Sequence, residues 1–171
     1  MGKRYPAIPK NYLEGVRDRG LKNYKSERGM LGYYERENKK WADERLQPDV
    51  KRIEMEIEWR RSRTWGNSPH LTGHVVFADG TFDRGEATAS GCGYDKHSTV
   101  MAEFLNEHMK GMLWRAMRRK GSPYGVSMRK GEAPYFEGGV GYESTVAVMK
   151  WLGFKCEEHH GRIYDSYVFT R

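Results

Sequence analysis

The sequence predicts an α+β domain, one antiparallel sheet of about five strands packed against two helices, preceded by a basic and partly helical N-terminal extension. Three observations predict it. Ile53, Met55, Ile57 and Trp59 alternate with Glu54, Glu56 and Glu58, the two-residue period of a strand with one buried face. Met101, Phe104, Leu105, Met112, Leu113 and Ala116 recur instead at helical spacing. Strand and helix signals also come in blocks, which favours α+β over a strictly alternating α/β order.

Taken in order, residues 1–50 hold 12 basic and 8 acidic residues with few aliphatics, so they read as an extension without a core of its own, and the domain is placed at 51–171. Only Tyr33 to Leu46 reads as a helix there, carrying the favourable Glu35 and Lys39 pair and stopped by Pro48. Leu71 to Phe77 and Phe82 to Ala89 are read as the second and third strands, turning at Asp79-Gly80. Ser98 is the expected N-cap of one long helix that runs until Gly121 and Pro123 break it. The glycine-rich stretch to Gly141 is expected as a loop with one short strand near Val126 and Met128. A helix after Ser144, bearing Val146, Val148, Met149 and Leu152, closes at Gly153. Strands at Phe154 to Glu158 and Ile163 to Thr170 end the reading, with Ile163, Tyr167 and Phe169 on one face.

Composition narrows the function classes. The chain has 171 residues, 37% of them hydrophobic and 13% aromatic, enough for one core that needs neither metal nor disulfide. No run approaches the ~20 apolar residues of a membrane span, and the start lacks a signal peptide's apolar stretch, so a cytoplasmic location with no membrane partner is expected. Cys92 and Cys156 are expected to be free thiols. The net charge of +7 favours an anionic partner, for which nucleic acid is the commonest choice, although solubility alone also accounts for such a charge.

Two short patterns echo each other. Gly91-Cys92-Gly93-Tyr94 leads into Ser98-Thr99-Val100, and Gly139-Val140-Gly141-Tyr142 leads into Ser144-Thr145-Val146. Each glycine loop before a helix start is a candidate anion-binding loop, because glycine allows close approach and N–H groups at a helix N-terminus attract phosphate or carboxylate. The competing reading is a plain turn from sheet into helix, and no P-loop lysine follows. The two loops are expected near one another, since both helices pack on the same sheet.

Basic residues cluster at Arg60, Arg61 and Arg63, at Arg115, Arg118, Arg119 and Lys120, and at Arg129 with Lys130; Lys96 and Trp65 complete the candidate binding set. Guanidinium groups offer paired donors to phosphates and guanine edges, and a free aromatic ring can stack on an exposed base. Trp59 and Trp114 fall on apolar sides and are expected in the core. Tyrosines interleaved with cations in the extension suit either base stacking or packing on the domain.

The run Ala89-Ser90-Gly91-Cys92-Gly93-Tyr94-Asp95-Lys96, with Trp59-Arg60-Arg61-Ser62-Arg63-Thr64-Trp65-Gly66 before it, resembles small phage and mobile-element proteins, among them inhibitors of type II CRISPR nucleases. The resemblance covers roughly Glu58 to Asn106. It implies a non-enzymatic anti-CRISPR protein that binds the nuclease with its guide RNA, or the DNA the nuclease needs, and it carries over no catalytic residue.

Metal and nucleophile patterns are poor. Cys156 with His159 and His160, or Cys92 with His97, lack paired zinc-ligand spacing, and Cys92, Asp95 and His97 lie too close in sequence to form nucleophile, base and orienter. Glu54, Glu56 and Glu58 are expected on the solvent face of an edge-like strand, outside any acid–base pair. The expectation is therefore a non-enzymatic nucleic-acid or nuclease-binding protein without cofactor or metal. An enzyme working on a phosphorylated or nucleic-acid substrate at the glycine loops, and a virion structural or assembly protein, are the alternatives.

Overall fold

The computed structural model describes residues 43–62, 66–89, 95–128 and 133–171. Strands β1 (Val50–Ser62), β2 (Gly66–Phe77), β3 (Phe82–Thr88), β6 (Lys155–His160) and β7 (Tyr164–Thr170) form an antiparallel sheet in the order β3-β2-β1-β7-β6. Strand β1 is thus central rather than edge-like, and Glu54 and Glu56 point to solvent because the outer face of the sheet is open there. A two-stranded sheet pairs β4 (Val126–Ser127) with β5 (Tyr135–Phe136), where a single short strand was expected.

The opposite face of the sheet carries the helices. Ile53, Met55, Ile57, Leu71, Val75, Tyr167 and Phe169 are buried from the strands, and they share a core with Val100, Met101, Phe104 and Leu105. Gly73 and Gly85 face each other across β2 and β3, and the Phe104 ring lies against both. A methyl group at Gly73 would overlap that ring, so the glycine is a packing requirement.

The expected long helix is two helices, α1 (Lys96–His108) and α2 (Lys110–Lys120), broken at Met109. Just after the break Gly111 faces the Glu44 carbonyl, which a Cβ at that position would meet at 2.6 Å. Residues 43–49 therefore pack on α2: Lys110 pairs with Glu44, and Arg115 binds Asp49, ahead of the expected boundary at residue 51. The cap of α1 is Asp95, not Ser98; its carboxylate accepts from Ser98 N at 3.1 Å and Ser98 Oγ at 2.7 Å.

Helix α3 (Tyr142–Trp151) begins two residues before Ser144, after a Gly141 at φ 88°. Ile163 falls in the β6–β7 turn and is 56% exposed, so Asp165, not Ile163, joins Tyr167 and Phe169 on the buried face. Strand β2 starts five residues earlier than expected. Its Gly66-Asn67-Ser68-Pro69 start reads as a turn but is paired residue by residue with β1. No helix among the described residues is long and apolar enough to cross a membrane.

Candidate functional site

The longest strand pair outgrows its sheet. Strand β7 reaches β1 only as far as Glu58, and β3 reaches β2 only as far as His70. Beyond them Arg60, Arg61 and Ser62 pair only with Ser68, Asn67 and Gly66 among the described residues, which makes a two-stranded ribbon extending past the neighbouring strands, with Ser68 Oγ still donating to the Ala89 carbonyl at 3.2 Å. Arg60 and Arg61 are exposed on it and, by strand alternation, point to opposite faces. Arg60 contacts the neighbouring Glu58 at 3.0 Å, a solvent-exposed pair of little energetic weight. Lys96 reaches the same ribbon, donating to the Asn67 carbonyl at 3.3 Å. Arg63 and Trp65 lie outside the described residues.

The second basic group stands at the end of α2 and is divided in role. Arg115 is structural: it donates to Asp49 Oδ1 at 2.6 Å and to the carbonyls of Arg45 and Gln47. Burial opposes the Asp49 charge, but Arg115 and then Arg171 outweigh it and hold the carboxyl below its ordinary value. Arg118 and Arg119 are exposed and line with Arg115 an open cleft of about 310 Å³. The Arg118 guanidinium lies 4.8 Å from the Trp114 ring centre, so Trp114 is half-buried beneath a cation rather than in the core. Lys120 donates to the Trp151 carbonyl, which pins it to the end of α3. Arg129 and Lys130 lie outside the described residues.

The entrances of α1 and α3 meet. Asp95, before α1, accepts a short hydrogen bond from the Gly141 amide at the start of α3. The carboxylate thus takes the Gly141 N–H that an external anion could otherwise use, and it serves both helices. Burial opposes its charge, while the hydrogen bonds from Ser98 and Gly141 outweigh burial and lower its pKa. Gly91, Gly93 and Tyr94 fall outside the described residues.

Beneath these entrances is a polar cluster that the motif search passed over. His97 stacks on Tyr142 at 4.7 Å, and its Nε2 meets the Tyr167 hydroxyl at 2.8 Å. Burial pushes His97 below its ordinary value against the pull of Asp165 and Asp95, and burial raises Tyr167, so both the neutral imidazole and the neutral phenol are favoured. Asp165 is buried, accepts from Trp59 Nε1 at 2.6 Å and faces His160 Nδ1 at 3.2 Å. His160 Nε2 lies 3.4 Å from Glu158. The arrangement ties β1, β6 and β7 to both helices, and its half-exposed His160 is an imidazole oriented by a buried carboxylate.

Sequence spacing could not reveal this cluster, because its members are spread from Trp59 to Tyr167. The one available signal was parity: Asp165 shares its strand face with Tyr167 and Phe169, and a carboxylate on a core face needs partners. The candidate metal set on β6 is divided, since Cys156 and His159 fall on opposite faces of the strand. Comparison with protein-family profiles, curated proteins and solved structures gives no match.

Proposed function

We propose that this protein is a non-enzymatic binding protein that engages nucleic acid, or a nuclease loaded with it, through its basic ribbon. The observation that carries the reading is the pairing of Arg60–Ser62 with Gly66–Ser68 beyond the rest of the sheet. A two-stranded ribbon fits the major groove, and arginines are the side chains best suited to phosphates and guanine edges. Charge distribution supports it. Residues 1–42 carry 11 Lys and Arg against five Asp and Glu, hence six of the seven excess positive charges. Inhibition of a type II CRISPR nuclease is the specific form that the sequence resemblance suggests. The Asp95 carboxylate at the paired helix entrances weighs against a phosphate-handling enzyme, because it already takes the Gly141 N–H and places a negative charge there.

The deciding experiment replaces Arg60, Arg61 and Arg63 with Gln and measures binding to labelled duplex, single-stranded DNA and guide RNA, with and without a CRISPR nuclease. Loss of affinity with a salt slope flattened by about one unit per lost phosphate contact is expected. Unchanged affinity and slope for every ligand would refute the ribbon as the contact.

A second reading, acid–base chemistry at the polar cluster, is favoured by one observation, the Asp165 and His160 pair. Any turnover found in a substrate screen should then vanish in His160→Gln and show normal folding by circular dichroism.

A further inference from the structure

Resting on the nucleic-acid reading above, we infer that the ligand is a duplex of at least one helical turn, held at both ends of the central strand. The two exposed basic groups stand at opposite ends of β1. Arg115 anchors α2 to Asp49, immediately before the first residue of β1, and Arg118 and Arg119 follow on the next turn of that helix. Arg61 lies eleven residues along the same strand. At roughly 3.3 Å per residue the strand between them spans at most about 36 Å, less where it twists and where its register shifts between Val50 and Arg52. One turn of B-form DNA measures about 34–36 Å, so one groove face recurs at that interval.

The faces agree as well as the spacing. By alternation Arg61 shares the side of Ile57 and Trp59, the side on which the helices lie, and α2 with Arg118 and Arg119 belongs to that layer. Glu54 and Glu56 occupy the opposite face, while the helical side carries the exposed Glu103 and Glu107 of α1, which a polyanion laid along it must clear. Arg60 points to the other face, so on this side the ribbon end offers Arg61 and the α2 end offers Arg118 and Arg119, each a weak phosphate site; joined by one rigid strand, they act as two contacts with a fixed separation.

The test uses the full chain and labelled duplexes of 8, 12, 16 and 20 base pairs of one repeated sequence, with the Arg60→Gln/Arg61→Gln and Arg118→Gln/Arg119→Gln double variants. Thermal melts within a few degrees of the parent verify folding. For the parent, affinity should step up at least tenfold between 8 and 16 base pairs and then level off. In each double variant the step should disappear, leaving the gradual gain that extra binding positions provide. A gradual rise in the parent, or a step that survives both variants, overturns the two-ended duplex while leaving nucleic-acid binding in place. Tighter binding of a single strand than of a duplex of equal length also overturns it. Absence of salt-dependent binding at every length overturns the nucleic-acid reading and this inference together.

Discussion

The Asp95 carboxylate and the Gly141 amide, 46 residues apart in sequence, are hydrogen-bonded, so one side chain closes the entrances of two helices. Asp95 does this from a left-handed backbone conformation, φ 57° and ψ 63°, which asparagine and aspartate tolerate better than other non-glycine residues.

Asp95→Ala should therefore lose more than an ordinary cap, about 2 kcal/mol, because the helix cap, the bond to α3 and the tolerated backbone conformation go together. Asp95→Asn keeps an acceptor and the conformation and should lose about half as much. Urea unfolding midpoints of the two variants check the order; equal losses would mean that the shared cap contributes nothing.

Acid stability should depend on His97. Its folded-state pKa lies below the ordinary 6.5, so the unfolded chain takes up protons first, and stability falls as pH drops through that value. Replacing His97 with Gln should flatten the stability profile between pH 7 and pH 5. Parallel profiles for parent and variant would show that another group is responsible.

On the alkaline side the sign reverses. Burial, helped by Glu158, pushes the Cys156 thiol up to about 11, above its ordinary 9.0. Its contribution is complete below pH 9 and is lost as pH rises from 9 to 11, so Cys156→Ala should be measurably less sensitive over that interval. Guanidinium unfolding at pH 8 and pH 10.5 gives the comparison.

Glycine 73 should tolerate nothing larger. Gly73→Ala is expected to cost about 3 kcal/mol by overpacking against Phe104, and Phe104→Leu in the same chain should recover part of the loss. Additive losses in that double-mutant cycle would contradict the contact.

Arg115→Gln should destabilise by about 2 kcal/mol through loss of Asp49 and two carbonyls, whereas Arg119→Gln should stay within about 0.5 kcal/mol. Thermal melts distinguish the two, and a reversed order would exchange their assigned roles.

Much of the fold was legible in the sequence because burial imposes a period. Ile53 to Trp59 alternate on a strand with one buried face, and Met101, Phe104 and Leu105 repeat on a helix with one buried side, so both announce themselves locally. The helix break at Met109 did not, because the apolar helical spacing runs through it from Leu105 to Met112 and no proline marks it. Strand β2 was read short for a related reason: Asn67 and Pro69 have turn chemistry, and only the pairing partner on β1 keeps them extended. The arginines were visible as charges, but their division was not. Arg115 differs from Arg119 by its position over Asp49, which no local pattern encodes.

The backbone N–H of Arg171 donates to the Lys51 carbonyl, and its side chain reaches Asp49. Anything attached after Arg171 consequently leaves the fold at the α2 end of the central strand. A fluorophore fused there would report on Arg118 and Arg119, while one placed on the ribbon would report on Arg60 and Arg61. The same chain thus offers two separately addressable vantage points, one at either end of a single strand.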